Sequence, residues 1–271
     1  MKTVVVNFNE GGFFANCSVR LSRITRFISV RNVLPDHVDS TEQFKWFKTG
    51  PNLTRHITFE YFKDYNNTIH IDTESIFKQP LRSIFSEQHQ WKNYSELDYD
   101  ILVPLVKKYF TPADEIYNIT NILEKKYNLT YENTCVLLYR GNDKNREIKK
   151  CDYSEYLHYA NILLERNKDL VFLIQSDETE FIEYMSDNFK HNSFYFKDEI
   201  RHIKKCNSTV DKRRLRDIFC YSKKYLAITT ILSKCKYIVC SSGNCDLWTL
   251  LYRGNCEGVT QHQRDGSWVI H

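Results

Sequence analysis

Thr134-Cys135-Val136-Leu137-Leu138-Tyr139-Arg140-Gly141-Asn142-Asp143-Lys144 sets a short, almost unbroken apolar run directly against a dense cluster of charge. The run is too short for a buried helix and lacks the alternation of a half-buried strand, so it predicts a strand covered on both faces, as in a parallel sheet. Downstream, Tyr156, Leu157, Ala160, Leu163 and Leu164 fall on one face of a helix from about Tyr153 to Arg166. Leu170 to Ile174 is a second buried strand, followed by Asp177 and Glu180 as a capping box for a helix carrying Phe181, Ile182, Met185 and Phe189. Upstream, Pro112, Asp114 and Glu115 open an amphipathic helix with Ile116, Ile119, Leu123 and Tyr127 on one side.

The same alternation continues toward the C-terminus. Phe194 to Phe196 predicts a short strand, Arg201 to Asp217 a polar excursion, and Tyr221 to Lys234 a helix. A strand at Tyr237 to Cys240, a helix from Gly243 to Arg253 closed by Gly254, and a last strand from Val259 complete the pattern. Strand and helix in alternation specify an α/β fold with helices on both faces of a parallel sheet, and ligands there bind at the carboxyl ends of strands. The site is therefore expected just after Tyr139 and Cys240. Nearer the N-terminus, Lys2 to Phe8 reads as a strand, Gly11 and Gly12 as a turn, and Val19, Ile24, Phe27 and Ile28 as the inner face of a helix. Beyond Asp39 the pattern gives no topology until about residue 111. The expected organisation is two Rossmann-like lobes with a cleft between them, 1–110 on the acceptor side and 111–271 holding the donor.

Composition narrows the function. A chain of 271 residues with 42% hydrophobic and 27% charged residues is an ordinary globular protein. Its formal charge of +4 is small and interspersed, which gives no nucleic-acid footprint. The densest basic run, Lys212, Arg213, Arg214 and Arg216, is bracketed by Asp211 and Asp217 and reads as a solvated face or a phosphate contact. The N-terminal apolar run stops at Asn7, too short for a signal peptide or a span, so a soluble cytoplasmic protein is expected. Nine cysteines without paired spacing fit reduced, mostly buried thiols. The nine histidines show neither HxxxH nor HxH spacing, so no metal and no cofactor are expected.

Two loops carry the chemistry. Arg140, Asp143, Lys144, Arg146 and Glu147 follow the first buried strand of the C-terminal half, where they form either a self-neutralising loop or a ligand site. Ser241, Ser242, Gly243 and Asn244 sit between a strand and a helix, where hydroxyls and free backbone N–H groups make an anion cradle or a simple N-cap. Strand-Arg140-x-x-Asp143-Lys144, then Glu147 and a helix containing Glu155-Tyr156, resembles the strand-His-x-Arg-Arg-x-Asp-Lys segment of the α1,6-fucosyltransferase and O-fucosyltransferase superfamily. The stretch from Leu232-Ser233 through the strand to Ser241-Ser242 is similar to that family's donor-diphosphate segment.

The resemblance implies a GT-B-like fold and an inverting, metal-independent transfer of a sugar from a nucleotide diphosphate to a glycan hydroxyl. It implies donor contacts from Arg140, Lys144, Ser241, Ser242 and Asn244, with Glu147 as catalytic base and Asp143 as runner-up. Gly141 stands in place of the family's second arginine. Leu138 and Ile228 stand at the histidine and acidic positions that help read guanine, which admits a UDP-sugar such as UDP-xylose as readily as GDP-fucose. Asn9 to Asn16 follows the first strand as the family's glycine-rich loop does, with Gly12, Phe13, Glu10 and Arg20 as acceptor contacts. Asp98-Tyr99-Asp100 precedes an apolar run instead of ending a strand, so it is a poor metal motif. A non-catalytic nucleotide- or carbohydrate-binding protein on the same scaffold is the alternative expectation, and a nucleic-acid module built on Lys212 to Arg216 a more distant one.

Overall fold

The computed structural model describes residues 2–7, 10–44, 47, 58–65, 71, 84–197, 201–213 and 218–271. Its main sheet has six strands: β3 (Thr134–Tyr139), β4 (Val171–Ser176), β5 (Ser193–Phe194), β6 (Tyr237–Cys240), β7 (Val259–His262) and β8 (Trp268–Ile270) in the order β5-β4-β3-β6-β7-β8. All neighbours are parallel except β7 and β8. Every residue of β3 is buried, and successive side chains divide between two cores. Val136 and Leu138 join the larger core, whereas Cys135, Leu137 and Tyr139 join a second one with Tyr156 and Phe181. That division is why the β3 segment reads as continuously apolar.

The larger core receives α3 (Asp114–Lys126), α6 (Ile218–Lys234) and α7 (Asn244–Arg253), while α4 (Tyr153–Arg166) and α5 (Thr179–Asn188) cover the other face. Gly254 ends α7 in the left-handed conformation at φ 86°, which a residue without Cβ adopts at little cost. The strand expected from Val259 is followed by one more, β8, reached through a turn in which Asp265 Oδ1 accepts the Ser267 N–H at 2.9 Å and Gly266 adopts φ 93°. Asp265-Gly266 was the turn signal for that hairpin.

In the N-terminal part, β1 (Thr3–Val5) pairs in parallel with β2 (His37–Asp39), and α1 (Phe13–Arg31) is the crossover between them. The strand expected to reach Phe8 ends at Val5; Phe8 and Asn9 lie outside the described residues, as do Arg214 and Arg216. Asp98 caps α2 (Tyr99–Tyr109), its Oδ1 accepting the Ile101 N–H at 3.2 Å, which gives the Asp98-Tyr99-Asp100 triplet a structural use. An aromatic seam joins this part to the main sheet's helices. Phe14 packs against Tyr225 at 5.0 Å and Phe110 against Trp248 at 4.7 Å between ring centroids. Across residues 110–113 the backbone is tied back to the N-terminal part, Lys63 N–H to Thr111 O at 2.8 Å and Ala113 N–H to Tyr61 O at 2.9 Å. No helix among the described residues is long and apolar enough to cross a membrane.

Candidate active site

A cleft of about 750 Å³ opens at the carboxyl ends of β3 and β4, between the N-terminus of α1 and that of α7. Parallel strands place their loops on one edge of the sheet, and the cleft is where two such loops face the N-terminal part.

The Arg140 guanidinium donates from Nε to Asp177 Oδ2 at 2.9 Å, from Nη2 to Asp143 Oδ1 at 3.1 Å and from Nη1 to Cys245 Sγ at 3.0 Å. Five N–H bonds less these three leave two, and Arg140 lines the cleft. Gly141 N–H donates to Asp177 Oδ1 at 2.9 Å. A Cβ at position 141 would run into the Glu178 carboxyl group and lie 2.6 Å from Tyr139 Cε1, so the missing second arginine has a steric reason. Burial raises the pKa of Glu178, and its carboxyl group accepts the Tyr153 hydroxyl. Asn142 is buried between the Asp177 carbonyl and the Cys206 N–H and holds two loops together. Lys144 is buried, with its ammonium 4.8 Å from the Trp91 ring centroid and ion-paired to Glu147.

The β6–α7 loop differs from the expected cradle. Ser241 Oγ turns inward to Asp246 Oδ2 at 3.4 Å, and Ser242 Oγ donates to the His262 carbonyl at 3.0 Å. Neither serine lines the cleft. The acidic group at the start of α7 is the chain's own Asp246, fully buried, its Oδ2 facing the Ser241 hydroxyl. At the N-cap of α7 the Gly243 N–H donates to the Tyr94 hydroxyl at 3.1 Å, so a protein group already takes that helix-end donor. Burial pushes the Asp246 carboxyl up to about 7 against the opposing pull of Arg140 and Lys144. Asn244 does reach the cleft: its Oδ1 accepts from Ser18 at 2.6 Å and its Nδ2 donates to Gln90 at 2.8 Å, which ties α7 to α1.

On the N-terminal side, Glu10, Gly12 and Phe13 line the cleft. Phe13 is buried in an aromatic cluster, 4.9 Å from Tyr61 and 5.5 Å from Phe47 between ring centroids, so its main contacts are core contacts. Arg20 is not an acceptor contact: it is fully buried, donating from Nη1 to Thr58 at 3.2 Å and to Ser40, beneath Phe110. Desolvation lowers its pKa to about 10. Ile228 is fully buried in the core and does not line the cleft; Tyr225 is the α6 residue that does, together with Ile218. Leu138 lines it as expected.

One group among the described residues has metal-ligand chemistry. Donor atoms of Cys151, Glu155 and His262 lie within 4.8 Å of one another. The Glu155 oxygens already accept the Asp152 N–H at 3.0 Å and the Trp268 Nε1–H at 2.9 Å, and none of the three residues lines the cleft. Burial lowers the His262 pKa and raises that of Cys151.

The acidic and basic side chains that line the cleft among the described residues are five carboxylates (Glu10, Asp143, Glu147, Asp177, Asp211) and four cations (Arg140, Lys144, Arg201, Lys212). A polyanion entering it competes with the chain's own carboxylates for those cations. Asp143→Asn is therefore expected to tighten diphosphate binding about three- to tenfold in calorimetry, because it frees part of Arg140 without removing it. Unchanged or weaker binding would assign Asp143 to holding Arg140 in position.

No protein-family model matches the sequence, and no curated protein sequence matches it. Solved structures do. NodZ α-1,6-fucosyltransferase co-crystallised with GDP is similar over 100% of this chain and 98% of its own, with a TM-score of 0.57 and 11% identity. Fucosyltransferase NodZ from Bradyrhizobium is similar over the same shares with a TM-score of 0.53 and 10% identity. A mutant of Arabidopsis thaliana FUT1 in complex with GDP is similar over 97% of this chain and 70% of its own, with a TM-score of 0.51 and 10% identity. The chain has a fucosyltransferase-like fold. At this identity the likeness concerns the fold, and it agrees with the GT-B-like, parallel-sheet architecture expected from the two loop segments.

Within the fucosyltransferase-like fold, several cleft residues escaped the sequence reading. Asp177 was assigned to a capping box, but Glu178 occupies the N-cap of α5 with no side-chain cap, and Glu180 accepts the Lys205 N–H instead. Its position just after β4 was the available signal. Arg201 lay in a stretch that read as a polar excursion, and Cys245 carried no motif; only the fold brings them beside Arg140.

Proposed function

We propose that this chain is a glycosyltransferase that moves a sugar from a nucleotide diphosphate donor to a hydroxyl, with inversion and without a metal ion. The observation that carries the reading is the convergence of Arg140, Lys144 and Glu147 on one cleft at the carboxyl end of β3. Two cations suited to a leaving diphosphate and one carboxylate suited to deprotonating a hydroxyl are the parts such a transfer needs. The likeness to structures of fucosyltransferases with GDP supports a nucleotide-sugar donor. The cations can stabilise the departing diphosphate themselves, and the Asp-x-Asp triplet is spent on capping α2. Leu138 in the cleft offers no hydrogen bond to guanine's polar edge, which supports a UDP-sugar such as UDP-xylose alongside GDP-fucose.

The test is calorimetry with UDP and GDP in EDTA, followed by donor turnover with and without added glycans. Metal-free binding of a nucleoside diphosphate is expected, with UDP at least as tight as GDP. Loss of all affinity on chelation would overturn the metal-free mechanism, and a GDP preference of about a hundredfold would restore a guanine-reading site. Binding without any turnover would leave the non-catalytic reading.

A further inference from the structure

Arg201 reaches the cleft from the segment between β5 and α6 and is held there in an unusual way. Its guanidinium carbon lies 3.2 Å from the Tyr225 ring centroid and 4.1 Å from that of Tyr221, so π-faces on α6 hold the charge. The residue is 9% exposed, and Asp211 Oδ1, its ion-pair partner among the described residues, lies 3.6 Å from Nη2. A charge-assisted hydrogen bond measures about 2.7–2.9 Å, so Asp211 supplies charge without a bond of full strength. Nη1 is buried with no hydrogen-bond partner among the described residues.

A stacked guanidinium keeps its in-plane N–H edge free for hydrogen bonds, and leaving that edge unmade in a buried place costs free energy that an incoming acceptor recovers. The same tyrosine leads to Arg140. The Tyr225 hydroxyl donates to Cys245 Sγ at 2.6 Å, and Arg140 Nη1 donates to the same sulfur at 3.0 Å. Two guanidinium groups thus face one cleft on either side of the Tyr225–Cys245 contact.

We propose that Arg201 and Arg140 form a two-armed anion subsite, each arginine taking one phosphoryl group of a pyrophosphate-linked ligand. The proposal rests on the nucleotide-diphosphate reading above and adds a residue and a selectivity to it. Arg140 has two N–H bonds to give and Arg201 an unused Nη1, so a ligand with two phosphoryl groups satisfies both, while a monophosphate satisfies one.

The experiment compares UMP with UDP, GMP with GDP, and inorganic pyrophosphate with phosphate, by calorimetry on the full chain and on Arg201→Gln and Arg201→Lys. The native chain is expected to prefer diphosphate over monophosphate by at least about tenfold, the value of one charge-assisted contact. Arg201→Gln should erase most of that preference while monophosphate affinity stays within about twofold. Arg201→Lys, which keeps the charge and loses the stacked plane, should fall between them and keeps the test open if the glutamine variant does not fold. A diphosphate preference intact in both variants would overturn the subsite. So would equal loss for mono- and diphosphate with a lowered melting temperature, which would make Arg201 a structural strut for α6. If the native chain binds no diphosphate at all, the transferase reading itself falls, an outcome distinct from any result on the variants.

Discussion

Glu147→Gln is expected to lower kcat by about 10²–10⁴ while donor affinity does not weaken. Transfer with inversion needs a base on the acceptor side to take the hydroxyl proton as the anomeric carbon becomes oxocarbenium-like. Glu147 ends the helical turn Lys144–Arg146, its backbone fixed by its own N–H to Lys144 O at 2.8 Å and by Arg264 Nε to its carbonyl at 3.2 Å. Its side chain, 41% exposed, lines the cleft while ion-paired to Lys144. A donor diphosphate that draws Lys144 away leaves the Glu147 carboxylate open to the acceptor hydroxyl. Glutamine is close to isosteric and leaves Lys144 free for phosphate, which is why Kd for the donor should hold or improve. Steady-state kinetics with native donor and acceptor, alongside donor titration, checks both halves. Turnover near the native rate would move the base to Asp143 or Glu10, the other carboxylates expected from sequence to work in the cleft.

What the sequence disclosed follows from how local each signal was. The β3 run and the charged loop after it were legible because burial of a parallel strand on both faces demands continuous apolar residues, and the loop follows within the same dozen residues. Arg140, Asp143, Lys144 and Glu147 were all placed in the cleft as expected. The α7 loop was read as a cradle because the pattern shows donors at a helix start; it does not show that both serine hydroxyls turn inward, Ser241 to Asp246 and Ser242 to the His262 carbonyl. Arg20 sits four residues past Asn16 on the same turn-to-turn face of α1, and that face is packed rather than open. Ile228 failed for a related reason: α6 is buried nearly all round, so aligning it by position alone could not say which of its faces meets the ligand. Arg201 and Asp177 depend on contacts 61 and 37 residues away from Arg140 in sequence, and no local pattern carries those.

Arg140→Ala should weaken diphosphate binding by about a hundredfold or more while nucleoside binding stays within about twofold. One charge-assisted contact to phosphate accounts for about 1.5–3 kcal/mol, a factor of about 10 to 150. The rest of the effect comes from what the guanidinium now neutralises. Asp177 Oδ2 at 2.9 Å and Asp143 Oδ1 at 3.1 Å would face the incoming phosphate without their cation, adding repulsion to the lost attraction. The same geometry means that the substitution also strains the fold, because the Asp177 side chain is 7% exposed and a buried carboxylate stripped of its partner costs about 3–5 kcal/mol. A lower melting temperature is therefore expected with the single variant. The double variant Arg140→Ala with Asp177→Asn separates the two effects: the neutral amide can still accept the Gly141 N–H that Asp177 Oδ1 now takes at 2.9 Å, so much of the stability should return. Diphosphate affinity should not return with it, since neither change restores a phosphate donor. Recovery of diphosphate binding in the double variant, or equal losses for nucleoside and diphosphate in the single one, would show that Arg140 organises the loop and that the phosphates are held elsewhere.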